Sequence, residues 1–191
     1  MCNEAPLPKA LGRPAGFDRE AVLQIAMDLL WEGGFETTSV GELIAAMGLS
    51  RSSFYAAFGS KRGAMLAALQ LYSARCDALL REIATRDGTF QDRLSQMLHA
   101  IAMVDDARGC FMVNCISEMA RHDPEIRKIA AEHNDALEQI LVEALPEGDG
   151  AAARAKARAL VAAAYGATLL VASGTDRAAI REMLDTLARA A

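Results

Sequence analysis

Apolar residues recur at helical spacing along almost the whole of this chain and nowhere alternate as the residues of a strand do. That periodicity restricts the chain to an all-α fold, and the stop signals divide it into about nine helices. A first helix starts at Asp18, with Val22, Ile25, Ala26, Leu29 and Leu30 on one buried face, and ends at Gly33-Gly34. Ser39 and Glu42 form an S-x-x-E capping box, which predicts a short helix from Val40 to Met47, stopped at Gly48. A third helix of two turns covers 51–57 and breaks at Gly59, where Ser60 caps a long fourth helix running towards Arg86. Further helices run from Thr89 to Val104 and from Cys110 to Arg121. Asp123-Pro124, an N-cap followed by Pro at N1, opens another that reaches Leu145. The last two cover 151–173 and 176–190. Three prolines and two glycines make 1–16 a flexible arm, leaving 17–63 as a front domain and 64–191 as a rear one.

Composition narrows the function. A chain of 191 residues with 52% hydrophobic and 24% charged residues is globular. The longest apolar run, 160–172, contains a Gly and is short for a bilayer, and the start lacks the apolar stretch of a signal peptide. A cytoplasmic protein without a membrane partner is expected. Cys2, Cys76, Cys110 and Cys115 form no C-x-x-C and suit a reducing compartment. No Gly-rich phosphate loop, H-E-x-x-H or Ser/His/Asp arrangement is evident, so neither an enzyme nor a cofactor is expected. A metal held by some of His99, Cys110, Cys115, His122 and His133 is disfavoured, because i, i+5 sets the two cysteines about 140° apart on a helix.

The net charge is −5, yet the front is close to neutral and 48–66 holds three basic residues and no acidic one. Helix, tight turn and helix within about twenty residues is the helix-turn-helix plan. Ile44, Leu49, Phe54 and Phe58 can pack inward and fix the two short helices. Arg51, Ser52, Tyr55 and Ala56 then project outward, with Ser53 beside them. Such a helix fits the major groove of double-stranded DNA, where Arg donates two hydrogen bonds to guanine and Ser adapts to several base edges. Tyr55, Ser39, Lys61 and Arg62 are placed for phosphates, the last two in the first turn of a helix.

At these residues a resemblance appears. "DREAVLQIAMDLLWEGGFETTSVGELIAAMGLSRSSFYAAFGSKRGAML", residues 18–66, resembles the DNA-binding domain of the TetR/AcrR family of bacterial transcriptional repressors. The features are Gly34-Phe35, the Thr/Ser cluster 37–39, Gly48-Leu49-Ser50, a basic residue at 51, Tyr55, Phe58 and Lys61. The resemblance implies a homodimer built through the last two helices and an operator released under ligand control. Family members often carry His, Arg or Tyr where this chain has Ala56 and Ala57. Base reading therefore falls on Arg51 and on contact of Ala56 with a thymine methyl. Lys9 and Arg13 of the arm are candidates for the minor groove, against a solvated tail.

In the rear, "RGCFMVNC" resembles a segment that opens a helix beside the ligand pocket in one branch of these regulators. A small, largely apolar effector would be lined by Met97, Ile101, Met103, Phe111, Asn114 and Tyr165, with Cys110 and Glu118 on the same helix; these could equally be core. Alternatively, Cys110, near a helix start and two residues from Arg108, has a lowered pKa and senses oxidants or electrophiles, with Cys115 nearby; the counter-reading is an inert buried thiol. Rival classes are an enzyme with Cys110 as nucleophile and His99 or His133 as base, and a helical ligand carrier. Trp31 is expected to pack between the two halves. Ala164, Thr168 and Val171, with the stripe Ile180, Leu184 and Leu187, suit a four-helix bundle across a two-fold axis, against an intramolecular hairpin.

Overall fold

A computed structural model describes residues 17–102, 106, 108–146 and 148–191. Lys9 and Arg13 of the arm, and Met103, lie outside the described residues. Among these residues there are nine α-helices and no strand: α1 Arg19–Gly33, α2 Val40–Ala46, α3 Arg51–Phe58, α4 Lys61–Ala84, α5 Phe90–Ala102, α6 Phe111–Met119, α7 Pro124–Ala144, α8 Ala151–Ala172 and α9 Arg177–Ala190.

Local chemistry sets most of the boundaries. Asp18, Ser39, Ser50, Ser60 and Asp123 each cap a helix by accepting from backbone N–H groups two or three residues on. Gly59 ends α3 with φ +71°, a conformation that costs other residues a clash. Gly63 is required for another reason: a Cβ there would collide with the Phe58 carbonyl oxygen, so α3 and α4 meet backbone to backbone.

Two cores follow. The first joins α1 (Val22, Leu23, Ala26, Met27, Leu30, Trp31), Leu43, Phe54 and Phe58 to the first half of α4, to α6 and to the start of α7. The second joins α5, α8 and α9 to the rear half of α7 and the end of α4. α4 thus runs through both, and α6 belongs with the front helices. Each large side chain removed from water contributes about 1.5–3 kcal/mol. One expectation fails in the first helix: Ile25 is 39% exposed, because Leu23 and Met27 widen the buried face on its other side.

α8 corrects the estimate made from its apolar run. At 22 residues it is long and apolar enough to cross a membrane by length and composition. Here Ala153, Ala157, Leu160, Val161, Ala164 and Ala167 pack it into the second core against α5, α7 and α9.

His133 of α7 is buried, its Nδ1 hydrogen bonded to Ser73 Oγ at 2.8 Å, and burial pushes its pKa down from 6.5 to about 4. A folded pKa below the unfolded one means that the unfolded chain takes up the proton first. Stability is full above the unfolded pKa and falls as the pH drops from 6.5 towards 4. Lowering the pH from 7 to 5 is expected to remove about 2 kcal/mol through this one group. Urea unfolding at both pH values checks this, and His133→Gln should flatten that part of the dependence. An unchanged slope in the variant rules the group out.

Candidate nucleic-acid interface

α2 and α3 form a short helical pair over the front core. Phe54 and Phe58 are buried, Leu43 and Met47 are buried with them, and Ile44 and Leu49 pack half-buried at the edge. This leaves the opposite side of α3 free. Arg51, Ser52, Tyr55 and Ala56 are all exposed, with the Arg51 guanidinium 6.0 Å from the centre of the Tyr55 ring. Ser53 is half-buried; its N–H and hydroxyl both bond to the Ser50 hydroxyl, which also meets Ser52 Oγ at 3.0 Å. Ser39 is exposed at the start of α2, where its capping box with Glu42 holds its hydroxyl in place. Arg19 adds a cation the sequence did not single out, over the Phe58 ring and bonded to the Ala57 carbonyl at 3.4 Å.

Lys61 and Arg62 are placed differently from their expected phosphate sites. Lys61 Nζ donates to the carbonyls of Phe35 at 2.7 Å and Thr38 at 2.9 Å and lies over the Phe35 ring. Its charge ties the α1–α2 turn to α4. Arg62 makes two hydrogen bonds to Asp123, at 2.6 and 2.7 Å. The same carboxylate caps α7, and the guanidinium beside it holds its pKa down at about 2.

Asp123 is one of several ties between the front helices and α6–α7. The Glu118 carboxylate accepts from the backbone N–H groups of Phe35 at 3.0 Å and Glu36 at 2.9 Å. Expected near an effector, Glu118 instead grips the turn that leads into α2. Arg108 lies 4.1 Å from the Trp31 ring and bonds Asp28 at 2.9 Å. Trp31 packs against Phe111 and Tyr72, with ring centres 5.5 Å away in both cases. The residues 82 and 83 positions apart that meet at Glu118 carry no sequence signal of their pairing.

The remaining expected ligand residues are mostly core. Met97, Ile101 and Phe111 are buried. Asn114 Nδ2 donates to the Arg108 carbonyl at 3.0 Å, and the Tyr165 hydroxyl donates to Asn134 at 2.8 Å.

The lowered pKa expected of Cys110 does not hold. The thiol is buried and hydrogen bonded to the Tyr72 hydroxyl at 3.1 Å, and burial pushes its pKa up. Arg108 turns away from it towards Asp28 and Asp106. Burial raises Cys115 in the same way. Cys110 bonds Tyr72 and His133 bonds Ser73, so these two side chains are not paired with each other.

Ala164, Thr168, Ile180 and Leu184 are buried within the chain, so another copy could not reach them; Thr168 even bonds the Ala102 carbonyl. Val171 and Leu187 are half-buried. The outer face of α8 instead carries Ala159, Ala162, Leu169 and Leu170, the last two 57% and 42% exposed.

Residues 22–69 match a family model described as bacterial regulatory proteins, tetR family. The chain is 35% identical over 111 residues to the HTH-type transcriptional repressor ComR of Escherichia coli (strain K12), covering 56% of this chain and 53% of that protein. It is 31% identical over 128 residues to the HTH-type transcriptional repressor BdcR of the same organism, covering 66% and 65%. The match thus spans about half the length of ComR. Among solved structures the chain is similar to a cysteine mutant of the TetR family transcriptional regulator CifR complexed with 26bp double-strand operator DNA, with TM-score 0.75, 24% identity and coverage of 93% of this chain and 99% of that one. It is also similar to the reduced form of Escherichia coli NemR, with TM-score 0.76, 21% identity and coverage of 88% and 94%.

Proposed function

We propose, from the premise that this chain belongs to the tetR family of bacterial regulatory proteins, that it is a cytoplasmic repressor that binds operator DNA as a homodimer and lets go when a small effector binds. The observation that carries this is the exposed set Arg51, Ser52, Tyr55 and Ala56 on a helix fixed from beneath by Phe54 and Phe58. Arg51 reads a guanine edge, Ala56 meets a thymine methyl, and Tyr55 and Ser39 hold phosphates. Lys61 and Arg62 act indirectly, by holding the α1–α2 turn and α7 against α4. The second copy packs on the outer face of α8 around Leu169 and Leu170, and the two α3 helices lie about one DNA turn apart.

Release needs an effector that favours one arrangement of the two halves over another. Glu118 and Asp123 are the mechanical links, since the first joins α6 to the turn before α2 and the second joins the start of α7 to the start of α4 by charged hydrogen bonds. Glu118→Ala is expected to speed hydrogen exchange at the Phe35 and Glu36 amides about tenfold and to leave the Phe54 amide unchanged. Equal protection in both proteins would remove Glu118 from the linkage.

A gel shift against the DNA upstream of the chain's own gene, repeated at rising salt, tests the function. A complex that weakens linearly in log–log form with salt is expected. No complex at low salt sinks the proposal, and an enzyme or a carrier would give that result.

A further inference from the structure

α3 rests on the front core through Phe54 and Phe58, its two buried residues. Side chains four apart stack along one face of a helix, in a row close to its axis. Such a row resists sliding but leaves the helix free to roll about it. A small roll would swing Arg51 and Ala56, on the exposed side, through the largest arc. Something else must fix that angle.

The C-terminal turn of α3 shows what does. The last carbonyls of a helix have no partner within it. Tyr55 O accepts from the Gly59 N–H at 2.9 Å, and the Phe58 carbonyl lies against Gly63, where a Cβ would collide with it. The Ala57 carbonyl accepts from Arg19 Nη1 at 3.4 Å, and the same guanidinium lies 5.1 Å from the centre of the Phe58 ring. One cation, on the first residue of α1, thus meets both the backbone and the ring at the end of α3. A positive charge is favoured there, at the negative end of the helix and over an aromatic face.

No carboxylate competes for Arg19 among the described residues. Asp18 accepts from the Glu20 and Ala21 N–H groups as the cap of α1, Glu20 pairs with Arg75 of α4 at 3.0 Å, and α3 contains no acidic residue. The guanidinium is therefore held by α3 itself. α1 is in turn fixed to α4 through the Glu20–Arg75 pair and the Trp31–Tyr72 contact, so Arg19 refers α3 to a rigid neighbour.

We propose that Arg19 is a positioning residue for DNA recognition: its guanidinium fixes the roll of α3, and so the angle at which Arg51 and Ala56 meet base edges, without itself touching the DNA. The proposal rests on the regulator function above and deepens it. Base-edge hydrogen bonds depend steeply on angle, whereas attraction to phosphates does not. Loss of Arg19 should therefore erode sequence preference and leave non-specific affinity intact.

The full-length protein, Arg19→Ala and Arg19→Met are compared on labelled DNA from upstream of the chain's own gene and on a duplex of the same composition in scrambled order. The methionine variant keeps an unbranched apolar side chain over Phe58 and removes the charge and the donor. Both variants should bind the upstream DNA about five- to thirtyfold more weakly and the scrambled duplex within twofold of the parent, with an unchanged salt slope. Without DNA, hydrogen exchange at the Gly59 amide should be about three- to tenfold faster, with the Met47 amide of the α2 end unchanged. An equal loss on both duplexes, with the log–log salt slope smaller by about 2, would make Arg19 a phosphate contact, one in each protomer, and overturn the proposal. Parent-like behaviour of Arg19→Met overturns the role given to the guanidinium, and unchanged exchange at Gly59 overturns the restraint on α3. Faster exchange at Gly59 with sequence preference intact overturns its bearing on recognition. A parent that binds neither duplex sinks the regulator function, and the exchange at Gly59 still decides whether Arg19 holds α3.

Discussion

Arg51→Ala is expected to weaken binding to the upstream DNA by between about 30-fold and 10⁴-fold. A bidentate contact from arginine to guanine is worth about 1–3 kcal/mol, and a symmetric dimer makes it twice. The same change should leave the melting temperature within about 1 °C of the parent, because an exposed residue away from caps and core has little effect on stability. In the structure the guanidinium lies 6.0 Å from the centre of the Tyr55 ring, and the side chain is exposed. Fluorescence anisotropy with labelled DNA measures the affinity, and circular dichroism measures the melt. A dissociation constant within threefold of the parent would mean that α3 does not read the groove through this residue. A fall in melting temperature of the same size as the loss of binding would mean that Arg51 holds the fold instead. The test is demanding here because Ala56 and Ala57 leave few other polar side chains on the exposed face of α3 to share the readout.

What the sequence made legible was local. Ser39 with Glu42, Ser50, Ser60 and Asp123 with Pro124 act on N–H groups two or three residues away, and the helix starts expected from them agree with the structure to within a residue. The division of α3 into a buried side at Phe54 and Phe58 and an exposed side at Arg51 and Tyr55 is likewise a matter of helical period. The failures are all tertiary. Asp123 was legible as a cap, but nothing near it in the chain announces Arg62, 61 residues away, on the same carboxylate. Cys110 near a helix start argued for a low pKa, and burial against Tyr72 reverses the sign. Ile180 and Leu184 do form a stripe, but periodicity says only that a helix has an apolar face. α5 of the same chain covers that face, and the apolar side chains Leu169 and Leu170 stand exposed on the outer side of α8 instead.

Phe111 is where this distinction can be measured. If it walled an effector cavity, truncation would enlarge an existing space at small cost to the fold. As placed, its ring is 1% exposed, with centres 5.5 Å from Trp31 of α1 and 5.7 Å from Tyr72 of α4. Three aromatic rings from three helices meet there, at the seam between the front helices and α6. Phe111→Ala should therefore cost about 3–5 kcal/mol, the usual loss for an aromatic side chain removed from a packed core. For a chain of this length each kcal/mol lowers the melting temperature by about 2–4 °C, so a fall of roughly 6–20 °C is expected by circular dichroism. A fall of less than about 2 °C would return Phe111 to the role of a cavity wall. The variant should also release Trp31 from one side, so a red shift of its emission accompanies the fall, because the indole then meets water. Stability and emission must move together, since the same three rings hold α1 to α6 and keep the indole dry.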